Sequence, residues 1–391
     1  MDTKIDRIET FILKTPLGAE RFYSSQAEFP ERNSLLVRLT TSDGVVGWGE
    51  GGQYGPAEPV RSCIEDVLAP MLLEISCADP GIVWETLYSR TRDFGQKGTY
   101  IEALSAIDIA LWDILGKKLD ISISRLLGGR FRDQVKAYGT GGYYSETDFR
   151  DDRDLPALRD TVKGYVDDGF GMLKIKIGLL SVADDAKRVR TVREVLGDSF
   201  TLFADANHAY NASSAIAMGR TLEETGFQFF EEPVPPEDRE GYARVHNMLS
   251  IPLAGGEAEY TRYGYRDFIE SGCVDIIQPD IGVCGGISEI QKIQTLASIR
   301  NIRTIPHVWG SGIALAAALQ VCSAMPLTPY THRAIPVQNE PVVEYDRTRN
   351  PLRDDLLTQQ FVLHDGYVSI PDGPGLGVDV DMAVIDKYQV R

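Results

Sequence analysis

From about residue 135 onward the chain repeats one pattern: a short apolar run, a polar or ionisable residue at its end, then an amphipathic helical stretch. The apolar runs fall at 135–138, 172–177, 201–204, 227–230, 251–254, 274–278, 303–306 and 342–345. Runs of this length alternating with helical stretches predict βαβ units and a parallel sheet. Eight such units suit a (β/α) barrel better than a doubly wound sheet, so the fold class is α/β.

The first part of the chain reads differently. A strand is predicted over 5–13, and two apolar runs, 34–38 and 45–48, flank Ser42-Asp43-Gly44 as a hairpin. Before that hairpin, 18–33 is a polar and aromatic segment expected to be an irregular, functional loop. Helices are expected at 58–73, 82–92 and 100–118. The last is apolar on nearly every side, so it should be buried between this unit and the barrel. These patterns divide the chain into an α+β unit (1–130), a barrel (131–358) and a loop-rich C-terminal segment (359–391) that returns to the first unit.

Composition narrows the partners. Hydrophobic residues at 43% and charged residues at 25% describe a folded globular chain and exclude disorder or low complexity. A net charge of −17 repels phosphate backbones and anionic membranes, so neither nucleic acid nor a membrane surface is an expected partner. An acidic small molecule would need a local cationic device. The start, MDTKIDRIET, has no apolar core of a signal peptide, and no apolar run approaches the roughly 20 residues of a bilayer span, so a cytoplasmic location is expected. Five scattered cysteines without a C-x-x-C pair read as reduced thiols in or near the core. The acidic charge suits a soluble homo-oligomer.

In a parallel barrel, catalytic side chains sit at the carboxyl ends of the strands. Here Lys174 and Lys176 end the second run, Asp205 and Asn207 the third, and Glu231 and Glu232 the fourth. Glu257 follows the fifth, Asp280 the sixth, His307 the seventh and Glu344 the eighth. Any one carboxylate could merely cap the next helix. A ring supplying one group per unit points to a site instead.

Asp205, Glu231 and Glu257 form an oxygen-only donor set without thiolates or paired histidines, which suits Mg²⁺. Lys174 and Lys176 are two apart on a strand, so both face into the barrel. Two ammonium groups beside a divalent cation should depress each other's pKa, making a lysine usable as a general base. Asp280 should hold the ring of His307, leaving its other nitrogen to carry a proton. This arrangement suits removal of the proton α to a carboxylate, with the enediolate held by Mg²⁺ and by donors such as Lys174 and Glu344. His208 lies close enough to the metal loop to touch substrate.

With KIK at 174–176, DAN at 205–207, EEP at 231–233, GGE at 255–257, QPD at 278–280, IPH at 305–307 and VEYD at 343–346, the chain resembles the mandelate racemase subgroup of the enolase superfamily over its whole length. The resemblance implies a (β/α)7β modified TIM barrel under an α+β capping domain. It also implies a metal on Asp205, Glu231 and Glu257, bases at Lys176 and the His307–Asp280 dyad, and Glu344, or nearby Glu340, as hydrogen-bond donor to the enediolate. The capping loops at 18–26 and 51–54 would then choose the substrate. These loops carry Glu20, Arg21, Tyr23, Ser24, Ser25 and Gln53, polar enough for a polyhydroxylated acid, and the expected substrate contacts are Arg21, Tyr23, Gln53, Tyr143, Asn207 and Trp309.

The leading expectation is a Mg²⁺-dependent acid-sugar dehydratase giving a 2-keto-3-deoxy acid. A racemase or epimerase of a 2-hydroxy acid uses the same residues and stays open beside it. A non-catalytic sugar-acid binding protein would not call for bases on both faces. A metal-dependent hydrolase lacks its H-x-H after the first strand, and a muconate-type cycloisomerase would carry a lysine where Asp280 stands.

Overall fold

Gly44 takes φ +87° and closes the turn that folds Glu31–Thr41 back onto Val46–Gly51 as an antiparallel pair. Ile5–Pro16 adds to the other edge of Glu31–Thr41, and the C-terminal Gln389–Val390 pairs with Ile12 and Leu13. The computed structural model describes residues 3–52, 55–76, 78–149 and 155–390. The segment expected to be an irregular loop holds a short hairpin, Phe22–Tyr23 with Glu28–Phe29, and the following strand begins at Glu31.

The helix Thr99–Leu119 lies across this sheet with the run Ile101–Leu111 buried on every side, as its apolar composition demands. Its close approach depends on missing side chains. A Cβ on Gly49 would stand 1.9 Å from the carbonyl oxygen of Ala106, and one on Gly47 2.2 Å from that of Ala110. Any side chain there would push the helix off the sheet.

The barrel is built from Gln134–Gly141, Met172–Lys176, Thr201–Asp205, Phe230–Glu231, Leu253–Gly255, Ile276–Ile277 and Arg303–Thr304, paired in parallel in that order. Val343–Asp346, the eighth, pairs with the first. Alternation sorts the second strand: Leu173, Ile175 and Ile177 pack towards the helices, while Met172 joins Tyr138, Phe203, Phe229 and Ile276 in an apolar plug inside the barrel. Lys174 and Lys176 stand on the same inward face as Met172, above that plug. The tail touches both units. Tyr367–Ser369 pairs with the start of the first barrel strand, and Leu376 N then donates to Asp113 of the long helix at 2.9 Å.

Helix capping falls to residues other than the strand-end carboxylates. Ser181, Asn211 and Asp238 cap the helices after the second, third and fourth barrel strands. Two later barrel helices are capped from the N-terminal unit. Glu50 accepts from Ser311 N at 2.8 Å and Ala314 N at 3.0 Å, and Asp108 accepts from Ser288 N at 2.8 Å and Ser288 Oγ at 2.6 Å. Carboxylates at helix N-termini satisfy donors the helix cannot satisfy itself, so these contacts seat one unit on the other.

Burial pushes the Asp108 carboxyl up to about 7 despite those hydrogen bonds. The folded state then holds a proton that the unfolded chain releases near pH 4. The contribution of Asp108 to stability is therefore fully present below pH 4 and is lost as pH rises to about 7. The variant Asp108→Asn should flatten this slope by on the order of 2 kcal/mol between pH 4.5 and 7.5, read from urea midpoints. Equal slopes in the two proteins would contradict this assignment. Among the described residues no helix is long and apolar enough to cross a membrane, and Cys63, Cys273, Cys284 and Cys322 are buried free thiols. Cys77 lies outside the described residues.

Candidate active site

Strand register places the charged side chains side by side: Lys176 is paired with Asp205, and Asp205 with Glu231. All are buried at the carboxyl end of the barrel. Lys174, without solvent exposure, donates to Glu231 Oε1 at 2.8 Å and lies 2.9 Å from Glu344 Oε1. Lys176 donates to Asp205 Oδ2, whose other oxygen accepts from Asn207 N at 2.8 Å. Gln278 adds a donor to Glu231 Oε2 at 2.5 Å.

On the other side, the Nδ1 of His307 sits 2.8 Å from Asp280 Oδ2, and its Nε2 sits 3.3 Å from Glu257 Oε2. Lys176, Asn207, Glu257 and His307 border one chamber, walled by Tyr143, Trp309, Ser24, Gln26 and Phe29. Trp309 is fixed from outside by Arg32, whose guanidinium lies 3.9 Å from its ring and pairs with Asp346 at the end of the eighth strand.

The buried carboxylates set the charge states of both lysines. Burial and Lys174 push the Lys176 ammonium down, but Asp205, Glu257 and Glu231 outweigh them, and its pKa is raised. Lys174 is likewise raised well above its ordinary value: burial opposes this, and Glu231 and Glu344 dominate. Mutual repulsion of the lysines is thus real but outvoted by nearer carboxylates. Against burial, Lys174, His307 and Lys176 hold the Glu344 carboxyl down to about 2, and it accepts from Lys174, Thr140 and Val308 N.

Burial likewise opposes protonation of His307, but Glu257, Glu344 and Asp280 lift it to about 9. Burial and the charge of Asp205 push Glu231 up to about 8. Asp205 itself is held down to about 2, because Lys176 and Lys174 overcome its burial.

Ligand atoms of Asp205, Glu231 and Glu257 lie within 4.8 Å of one another, and Glu257 Oε2 is buried without a hydrogen-bond donor. Buried carboxylates this close need positive charge between them, and an all-oxygen set fits a hard divalent ion. These residues therefore suit Mg²⁺.

Of the expected substrate contacts, Asn207, Tyr143 and Trp309 line the chamber, whereas Arg21 and Tyr23 do not. The hairpin explains this: Phe22 and Ser24 are buried on its inner side, while Arg21, between them in alternation, is exposed and pairs with Glu28 and Glu146. Tyr23, partly exposed, has its hydroxyl 3.5 Å from Glu28. Gln53 lies outside the described residues. Glu340 pairs with Arg132 at 3.4 Å and lines a cavity with Arg303 and Ile305, away from the chamber, so Glu344 is the eighth-strand residue of the site.

Ser24 and Gln26 fall inside the expected capping loop 18–26 and line the chamber, whereas Phe29 had no motif to reveal it. Glu232 ends the fourth run together with Glu231, but no role of its own followed from that position. It is 1% exposed, and burial, Glu257 and Asp205 raise its pKa well above the carboxylate range. Asn207, His208 and Glu232 all take positive φ, at 41°, 64° and 43°, a strain that clusters at functional sites.

Residues 7–128 match the mandelate racemase / muconate lactonizing enzyme N-terminal domain, and residues 157–384 match the enolase C-terminal domain-like family. The chain is 41% identical to D-galactarolactone cycloisomerase of Agrobacterium fabrum over 99% of both chains. It is 38% identical to arabinonate dehydratase of Saccharolobus solfataricus over 91% of both. A racemase from Streptomyces coelicolor, solved with bound magnesium, superposes with a TM-score of 0.86 at 25% identity, covering 99% of this chain and 100% of that one. The chain belongs to the mandelate racemase subgroup of the enolase superfamily.

Proposed function

We propose that this enzyme removes the proton α to the carboxylate of a sugar acid and expels the oxygen on the neighbouring carbon, acting as a Mg²⁺-dependent acid-sugar dehydratase. The observation that carries this reading is a single chamber bordered by both Lys176 and the Asp280-held His307, with Glu257 between the metal set and the histidine. Asp205, Glu231 and Glu257 would hold the ion, which when bound supplies positive charge to the substrate carboxylate.

His307, kept protonated by its carboxylate neighbours, is suited to deliver a proton to the departing hydroxyl. Its Nδ1 hydrogen bond to Asp280 fixes the ring, so Nε2 is the atom that exchanges the proton. Lys176 owes its proton to Asp205, Glu257 and Glu231, the same carboxylates that would hold the cation. Engaging them removes the charge that keeps the lysine protonated, which favours its action as a base. Lys174 keeps Glu344 as a counter-charge and stays a donor.

Relatives of both reaction names favour a second reading. If the departing oxygen belongs to a lactone or anhydro ring, the same elimination opens the ring and gives an isomer of the substrate. Dehydration and ring-opening isomerisation then differ only in whether the leaving oxygen stays tethered.

The test is incubation with Mg²⁺ in D₂O against aldonic acids, aldaric acids and their lactones, followed by NMR. A keto-deoxy acid from an open-chain acid supports dehydration, and the same product from a lactone alone supports ring opening. Deuterium at the α carbon with inversion and no elimination would favour epimerisation. No exchange with any member would defeat the proposal.

A further inference from the structure

Beside the first carboxylate set lies a group the mechanism above leaves unused. His208 Nδ1 and Glu232 Oε2 face each other at 3.1 Å, yet neither makes a hydrogen bond, and Glu257 Oε2 nearby, 3.3 Å from His307 Nε2, makes none either. Glu232 is 1% exposed and Glu257 6%. Buried polar atoms without partners are rare, and several converging on one point indicate a shared partner. Ligand atoms of His208, Glu232 and Glu257 lie within 4.8 Å of one another.

We propose that His208, Glu232 and Glu257 form a second divalent-cation site that takes Zn²⁺ or Mn²⁺ in preference to Mg²⁺. One imidazole nitrogen with two carboxylate oxygens is a mixed donor set, which suits transition-series ions better than the all-oxygen set of Asp205, Glu231 and Glu257. The observed separation of 3.1 Å between nitrogen and oxygen matches two ligands of one ion. With bonds of about 2.0–2.1 Å, adjacent ligands stand about 2.9 Å apart in an octahedron and about 3.3 Å in a tetrahedron.

The site is also held rigidly. His208 N donates to Glu232 O at 3.0 Å, and Glu232 N donates to Ala254 O at 3.0 Å, so three adjacent strand ends fix the donors. Glu257 has two oxygens and can offer one to each ion.

The experiment strips the protein with a chelator and dialyses it against excess Mg²⁺ with stoichiometric Zn²⁺. Metal is then counted by mass spectrometry after gel filtration. One Zn²⁺ per chain is expected in the wild type, with Zn²⁺ affinity falling at least tenfold in His208→Ala and in Glu232→Gln. Asp205→Asn should lose Mg²⁺ binding and keep the Zn²⁺.

Wild type that retains no Zn²⁺, or variants that retain it undiminished, would overturn the proposal. So would loss of Zn²⁺ from Asp205→Asn, which would place the ion in the first set. If Glu232→Gln fails to fold by circular dichroism, His208→Gln at the partly exposed ring gives the same reading. The inference goes beyond the elimination reaction, since absence of Zn²⁺ alongside intact Mg²⁺-dependent turnover would end it alone.

Discussion

His307→Asn should give a folded protein that still binds Mg²⁺ but turns over a sugar acid processed from the histidine face about 10²–10⁴-fold more slowly. The choice of asparagine matters. Asp280 is 2% exposed and lies 2.8 Å from the ring nitrogen, so an alanine would strand a buried carboxylate beside a cavity. Asparagine keeps a nitrogen donor near Asp280 and much of the volume, while removing the atom that exchanges a proton. The readout is kcat together with α-deuterium exchange in D₂O. Loss of elimination with exchange retained assigns His307 the acid step and Lys176 the base step. Loss of both assigns His307 the proton abstraction. Unchanged turnover would show that His307 moves no proton in this reaction.

The site was legible because the barrel strands after the first announce their ends by the change from apolar to ionisable residues. Lys174, Lys176, Asp205, Glu231, Glu257, Asp280, His307 and Glu344 could be picked one by one, and the fold brings them within a single buried cluster. Whether a strand-end carboxylate serves the site or the next helix was settled by residues further along, since Asn211 and Asp238 take the capping positions.

What sequence could not supply was distance. Two lysines beside a divalent cation predict mutual depression of pKa; among the protein groups alone, Asp205 beside Lys176 and Glu231 beside Lys174 are nearer and raise both. Glu340 and Glu344 are alike as sequence. Register separates them, because Glu344 pairs with Tyr138 in the eighth strand, whereas Glu340 precedes that strand and meets Arg132. The capping loop misled for another reason: its polar residues suggested contacts, but the hairpin turns Arg21 outward and Ser24 inward.

Asp205→Asn should weaken Mg²⁺ binding at least about 100-fold, more than the loss of a supporting partner typically costs, and should bring turnover close to background. Asp205 has no solvent exposure, receives Lys176 on one oxygen and Asn207 N on the other, and stands in register between Lys176 and Glu231. Asparagine preserves the bond from Asn207 N but presents an amide where a second anionic oxygen stood. It also leaves Lys176 without its nearest counter-charge, so loss of activity alone would not separate metal binding from lysine placement. Thermal unfolding does separate them. A ligand at 100 times its Kd stabilises the folded state by about 2.7 kcal/mol, so wild type should melt a few degrees higher with Mg²⁺ than with chelator. The variant should show no such difference at the same concentration. A variant that is inactive yet still stabilised by Mg²⁺ would move Asp205 from holding the ion to positioning Lys176, and the metal would then rest on Glu231 and Glu257.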